Sequence, residues 1–179
     1  MAQAASRLLA PGRLPSVLAA VDGLRHLAAD VQAGRARVAV QRVHGDLHVG
    51  RVLRWTRGLA VVGFDAEPSF GPPDDGHPRD THQPAARDLA RLLASLAEVA
   101  RRAASRPQMP PHVPQAWYRE AREQVTAAYR AELDAEKHPE LLDDRLLAAF
   151  EAAEHARALL AAAGATAADT TNARPSPIS

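Results

Sequence analysis

Forty of the 179 residues are alanine. Alanine is the best helix former and buries little surface, so such a chain folds mainly into helices around a thin core. The few large apolar residues then decide where that core lies. Val17, Leu18, Val21, Leu24, Leu27, Ala28 and Val31 recur at three-to-four spacing and predict a helix over 16–33, with Ser16 as N-cap and Gly34 as its stop. A second helix is expected from near Pro84, with Leu89, Leu92, Leu93, Leu96 and Val99 on one face. Pro107, Pro110, Pro111 and Pro114 break the chain again. Trp117, Ala121, Val125, Ala128 and Leu133 mark a third helix, with Trp117 read as a packing anchor and, as the alternative, as lining a sugar site with Tyr118. A last one is capped by Asp143 or Asp144 and turns Leu146, Leu147, Phe150 and Ala153 inward.

Extended structure is scarce. Residues 37–43 alternate through Val38 and Val40, and Val52–Trp55 and Leu59–Phe64 flank Thr56-Arg57-Gly58 as a hairpin. Residues 65–84, with Pro68, Pro72, Pro73, Pro78 and Pro84, are expected to be loop. None of the β runs makes a sheet that stands alone, so the β patch must rest on helices. The expected class is α+β and mostly α-helical. Residues 1–13 form a flexible N-terminus, 14–164 the folded part, and 165–179, rich in Ala, Thr, Ser and Pro, a disordered tail.

With no cysteine, disulfides, Cys-based zinc sites and thiol nucleophiles are excluded. The 22 basic and 21 acidic residues leave a formal charge of +1, which argues against a nucleic-acid partner and against a polybasic membrane anchor. No apolar run approaches the roughly 18 residues of a spanning helix. Met1 to Pro15 lack the apolar stretch of a signal peptide, so the expected location is cytoplasmic. Of the basic residues 21 are Arg, and the single Lys is Lys137.

One segment carries chemistry: His44-Gly45-Asp46-Leu47-His48-Val49-Gly50-Arg51-Val52-Leu53. It joins an extended run to the hairpin, and its glycines permit an irregular backbone. Two readings fit Asp46. A carboxylate on a rigid loop orients a substrate hydroxyl or accepts its proton; equally, an Asp in a turn caps backbone amides. The remaining histidines, at 26, 77, 82, 112, 138 and 155, show no metal-ligand spacing.

His44-Gly45-Asp46-Leu47-His48-x-Gly resembles the catalytic loop of the aminoglycoside phosphotransferase group, which shares the protein-kinase fold. The flanking residues, Arg42-Val43-His44 through Val52-Leu53, Phe64 to Pro68, and Arg87-Asp88-Leu89-Ala90, look most like the maltokinase and aminosugar kinase branch. The resemblance spans roughly residues 14–163. It implies a kinase-like C-terminal lobe that takes part in phosphoryl transfer from ATP, with Mg²⁺, to a sugar hydroxyl. It implies Asp46 as the catalytic carboxylate, with His44 and His48 supporting the loop. Asp88 corresponds to an Asp that ties the loop down by hydrogen bonds to its backbone; a first-turn Asp favoured by the helix dipole is the alternative.

The pattern departs from that group at three places. Five residues after Asp46 the group has Gln or Asn as a metal ligand, and here stands Arg51, which has no acceptor atom. Alignment of Phe64, Glu67 and Pro68 puts Gly63 at the position of a metal-binding Asp, so Asp65 or Glu67 would have to serve instead. The 43 residues before His44 hold no Lys and no Gly-x-Gly, so the N-terminal nucleotide lobe is expected to be absent. Three functions follow as expectations: a truncated sugar kinase lobe with weak or no catalysis, half of a split kinase whose protein partner supplies the nucleotide lobe, or a non-catalytic interaction module. The last rests on an apolar patch around Val38, Val40 and Leu53.

Overall fold

The structure is a computed structural model that describes residues 14–64, 82–110 and 112–172. Among the described residues there are four α-helices. Helix α1 spans Leu14–Gln32, α2 Ala85–Ala104, α3 His112–Ala135 and α4 Asp144–Asn172. Two short antiparallel pairs complete the fold. Strand β1 (Gln41–Arg42) pairs with β4 (His82–Gln83), and β2 (Val52–Trp55) pairs with β3 (Gly58–Val61). Single 3₁₀ turns lie at Val49–Arg51 and Pro139–Leu141.

The core is as thin as the alanine content demands. Ala86, Leu89, Ala90 and Leu93 of α2 meet Leu146 and Leu147 of α4, and these six residues form the buried cluster. Leu24 and Leu27 of α1, Val38, Val125 and Tyr129 of α3, Leu142 and Phe150 close around it. Helix α2 packs against both α3 and α4, and α1 packs on α4. Leu89 and Leu93 are 1% and 0% exposed; burial of each stabilises the fold by about 1.5–3 kcal/mol. Asp143 caps α4, its Oδ1 accepting from the Arg145 N–H at 2.8 Å. Asp144, the other candidate cap, pairs instead with Arg130.

Several expectations need correction. Helix α1 begins at Leu14, so Ser16 lies inside it rather than at its cap. Strand β4 falls within the segment expected to be loop, because its two residues supply the only ladder partner that Gln41 and Arg42 have among the described residues. On α3 the expected face holds at Ala121, Val125 and Leu133, which are half-buried, but not at Ala128 or at Trp117, which is 43% exposed; Pro114 and Thr126 are buried and Tyr118 and Tyr129 half-buried. Val99 of α2 is exposed as well. Helix α4 runs on to Asn172, past the point at 165 where the disordered tail was expected. Its run of alanines carries helical propensity without needing a packing partner. The expected flexible stretch 1–13 and residues 173–179 lie outside the described residues.

Candidate functional site

The segment from Val43 to Arg51 crosses from β1 to β2 over the N-terminal end of α2. Asp88, in the first turn of α2 and 8% exposed, receives it. One carboxylate oxygen accepts from the His44 N–H at 2.5 Å and the other from the Gly45 N–H at 3.0 Å. Two adjacent amides on one carboxylate make a charge-assisted clamp. Gly45 adopts φ +85°, a left-handed conformation that lets the chain turn sharply between clamp and Asp46.

His44 locks the loop from a second side. Its ring is buried, its Nε2 lies 2.9 Å from the Val62 carbonyl, and its Nδ1 accepts from the Asp46 N–H at 3.2 Å. These partners suit a ring with its proton on Nε2, because the Val62 carbonyl offers only an acceptor and the Asp46 amide only a donor. Phe64 lies against the same ring, with centroids 4.9 Å apart. His48 holds the far end of the loop: its Nδ1 accepts from the Gly50 N–H at 3.1 Å. Ser95 of α2 accepts from the Val49 N–H at 3.0 Å and donates to the Leu92 carbonyl at 2.7 Å.

Asp46 stands at the rim of this scaffold with both oxygens engaged. Oδ1 accepts from Arg91 Nη2 at 2.8 Å and Nε at 3.1 Å. Oδ2 lies 3.5 Å from Arg51 Nη2 and 3.7 Å from His48 Nε2. Arg91 also reaches Glu154 of α4 at 3.3 Å, and Arg157 meets the other oxygen of Glu154 at 3.2 Å. A chain of charges thus links the loop through α2 to α4. Burial alone would raise the Asp46 carboxyl, but the Arg91 hydrogen bonds and the charges of Arg91, His48 and Arg51 outweigh it and hold the group below its ordinary range.

The structure therefore brings together His44, Asp46, His48, Arg51, Gly63 and Asp88. Asp65 and Glu67 lie outside the described residues. Arg91 and Glu154 are additions that sequence reasoning passed over. The signal available was Arg91's place one turn after Asp88, on the α2 face that carries the clamp. The structure also redraws the apolar patch: Val38 packs against the core, while Leu53, Trp55, Leu59 and Val61 of the hairpin are 42–72% exposed.

No protein-family profile matches the chain. A glucosamine kinase of Streptacidiphilus jiangxiensis is 40% identical over 119 residues, which are 66% of this chain and 26% of that protein. A solved glucosamine kinase in complex with glucosamine, ADP and inorganic phosphate superposes with a TM-score of 0.61 at 33% identity, over 79% of this chain and 33% of that one. A further glucosamine kinase structure gives a TM-score of 0.59 at 34% identity, over 82% of this chain and 38% of that one. The chain is related to sugar kinases. It spans about a quarter of the length of the curated relative it matches.

The residues at the two expected metal-ligand positions do not suit Mg²⁺, a hard ion that wants oxygen donors in near-octahedral array. Arg51 presents a guanidinium, and Gly63 presents no side chain at all. Among the described residues no three His, Asp or Glu side chains converge as a metal site. Among those residues, too, no helix is long and apolar enough to cross a membrane.

Proposed function

We propose that this chain forms the catalytic-loop lobe of a kinase-like sugar phosphotransferase, of the maltokinase and aminosugar kinase branch of the aminoglycoside phosphotransferase group, and that its catalysis is impaired. The observation that carries this reading is the clamp of Asp88 on the His44 and Gly45 amides, which holds Asp46 at a fixed place on the rim. The glucosamine kinases it resembles, one of them solved with glucosamine, ADP and inorganic phosphate, support an aminosugar as substrate and ATP as phosphate donor. In such a site Asp46 would orient a sugar hydroxyl, which requires an oxygen within about 2.6–3.2 Å of it. Here Arg91 hydrogen-bonds Oδ1 while Arg51 and His48 stand 3.5 and 3.7 Å from Oδ2, and a carboxylate so surrounded by positive charge is a weak proton acceptor. His44, His48 and Asp88 are positioning residues in this reading.

The test is sugar phosphate formation by the purified chain with ATP and either glucosamine or maltose. The expected result is no transfer that depends on Asp46. Transfer abolished by Asp46→Asn would overturn the impairment and leave the sugar-kinase assignment standing. Glucosamine is expected to shift the amide resonances of Asp46, Arg91 and Glu154; a titration that leaves all three unmoved counts against the sugar site itself.

The hairpin favours a second reading. Leu53, Trp55, Leu59 and Val61 expose apolar surface on both faces of the β2–β3 ribbon. In this reading the lobe works with a nucleotide-binding protein segment that covers them. A neighbouring reading frame encoding a glycine-rich, Lys-bearing β segment, and restored phosphate transfer on mixing the two products, are its expected outcomes.

A further inference from the structure

Arg51 and Gly63 face each other across the base of the hairpin, where the Arg51 carbonyl accepts from the Val62 N–H at 2.9 Å. Gly63 has φ +83°, and a Cβ built on it would fall against the Arg51 guanidinium, 3.0 Å from Cζ and 3.1 Å from Cδ. The arginine thus fills the space that a side chain at position 63 would take. From there its Nη2 approaches Asp46 Oδ2 at 3.5 Å. The Arg51 side chain is two-thirds buried, and its Nε is buried without a hydrogen-bond partner among the described residues. A positive charge is therefore tethered, half out of water, against the carboxylate.

The two departures from the kinase pattern are in this geometry one feature. A divalent ion on Asp46 Oδ2 would sit about 2.0–2.1 Å from that oxygen. On the side that Arg51 takes, such an ion would meet the guanidinium, which repels a cation and offers no acceptor. A carboxylate at position 63 could not lend a ligand while Arg51 holds its place.

We propose that Arg51 and Gly63 act as a pair that excludes divalent metal from Asp46, the guanidinium supplying positive charge to the carboxylate in a metal's stead. The inference rests on the reading of Asp46 as a phosphotransferase carboxylate and concerns how that site is balanced. Arg51 touches no reacting atom by this account; it is a positioning residue that makes the loop independent of metal.

Titration of the isotopically labelled 179-residue chain with Mn²⁺ alone, followed by paramagnetic loss of amide signals, tests it. In the unaltered chain no selective loss is expected at His44, Gly45, Asp46 or His48. The Arg51→Gln, Gly63→Asp double variant is expected to lose those signals selectively at concentrations that leave the unaltered chain intact. Arg51→Gln alone keeps the backbone of Gly63 and is expected to show the same loss at higher Mn²⁺, which covers the case of a double variant that does not fold. Selective loss in the unaltered chain overturns the proposal, and so does its absence in a folded Arg51→Gln chain. Either failure leaves the sugar-kinase reading untouched, since that reading is decided by the glucosamine titration.

Discussion

The Asp88 carboxylate accepts from two neighbouring backbone amides while itself nearly buried, so it is committed to the shape of the loop that carries Asp46. Asp88→Asn keeps the side-chain volume but replaces one acceptor oxygen with an N–H₂ donor that faces an amide donor. One buried amide then loses its partner, at a cost of about 1–3 kcal/mol. Chemical denaturation should register that loss, with faster hydrogen exchange at His44 and Gly45; unchanged exchange there would show that the clamp is not what holds the loop. Asp46 makes a different prediction. Its carboxyl titrates below its ordinary value of 3.8 in the folded chain, because Arg91 above all outweighs the effect of burial. A depressed native value means that the unfolded chain takes up the proton first as pH falls. The stabilisation is complete above the unfolded value and disappears as pH drops through the native one. The stability gap between the unaltered chain and Asp46→Asn is therefore expected to be widest near neutrality and to narrow below about pH 4. A gap constant from pH 7 to pH 3 would mean that the arginine pairing adds nothing. At this scale the residues that meet were partly legible: Asp46 and both histidines stand in one short motif, and Asp88 in a second segment whose contact with the loop amides was one of two readings. Arg91 was not, because only the packing of α2 beneath the loop brings it to Asp46.

At the scale of elements, legibility followed the size of the side chains. Helix α2 and the start of α4 were placed well because Leu89, Leu93, Leu146 and Leu147 are large, periodic and buried. On α3 Val125 faces the core as expected, while Trp117 and Ala128 do not, since alanines give no contrast between faces and Trp117 looked like an anchor. The aromatic that turns inward is Tyr118, whose half-burial beside Glu151 raises its hydroxyl above the ordinary tyrosine value. Arg122, on the same side, pairs with Glu151 at 2.8 Å and so seals α3 to α4 with charge where a larger core would use leucine. The end of α4 was misjudged for the same reason. A run of alanines reads as low complexity in sequence, yet it continues a helix at little cost. The first strand of the hairpin was placed to the residue, because alternation and a Gly-bearing turn are strong local signals, while the second spans Gly58–Val61 and stops short of Phe64.

At the scale of the whole molecule, the hairpin and the helices differ in how they are held. The helices share one buried cluster, while the ribbon from Val52 to Val61 projects with Leu53 51%, Trp55 55% and Leu59 72% exposed. A two-stranded ribbon on its own is marginal in water. At its base the Val62 N–H bonds the Arg51 carbonyl and the Val62 carbonyl meets His44. The same base carries the Arg51–Gly63 contact and lies next to Asp46. Opening of the ribbon is thus expected to stop short of the loop that carries Asp46. Native-state hydrogen exchange should find amides near Thr56 and Leu59 exchanging through local opening, far below the global unfolding free energy. Amides at Leu89, Leu93 and Leu147 should exchange only on global unfolding, with Val62 between the two groups. A ribbon as well protected as α2 would mean that its exposed apolar faces are already covered in solution, by a second copy or another partner. Dilution then separates these cases, because protection from self-association falls with protein concentration.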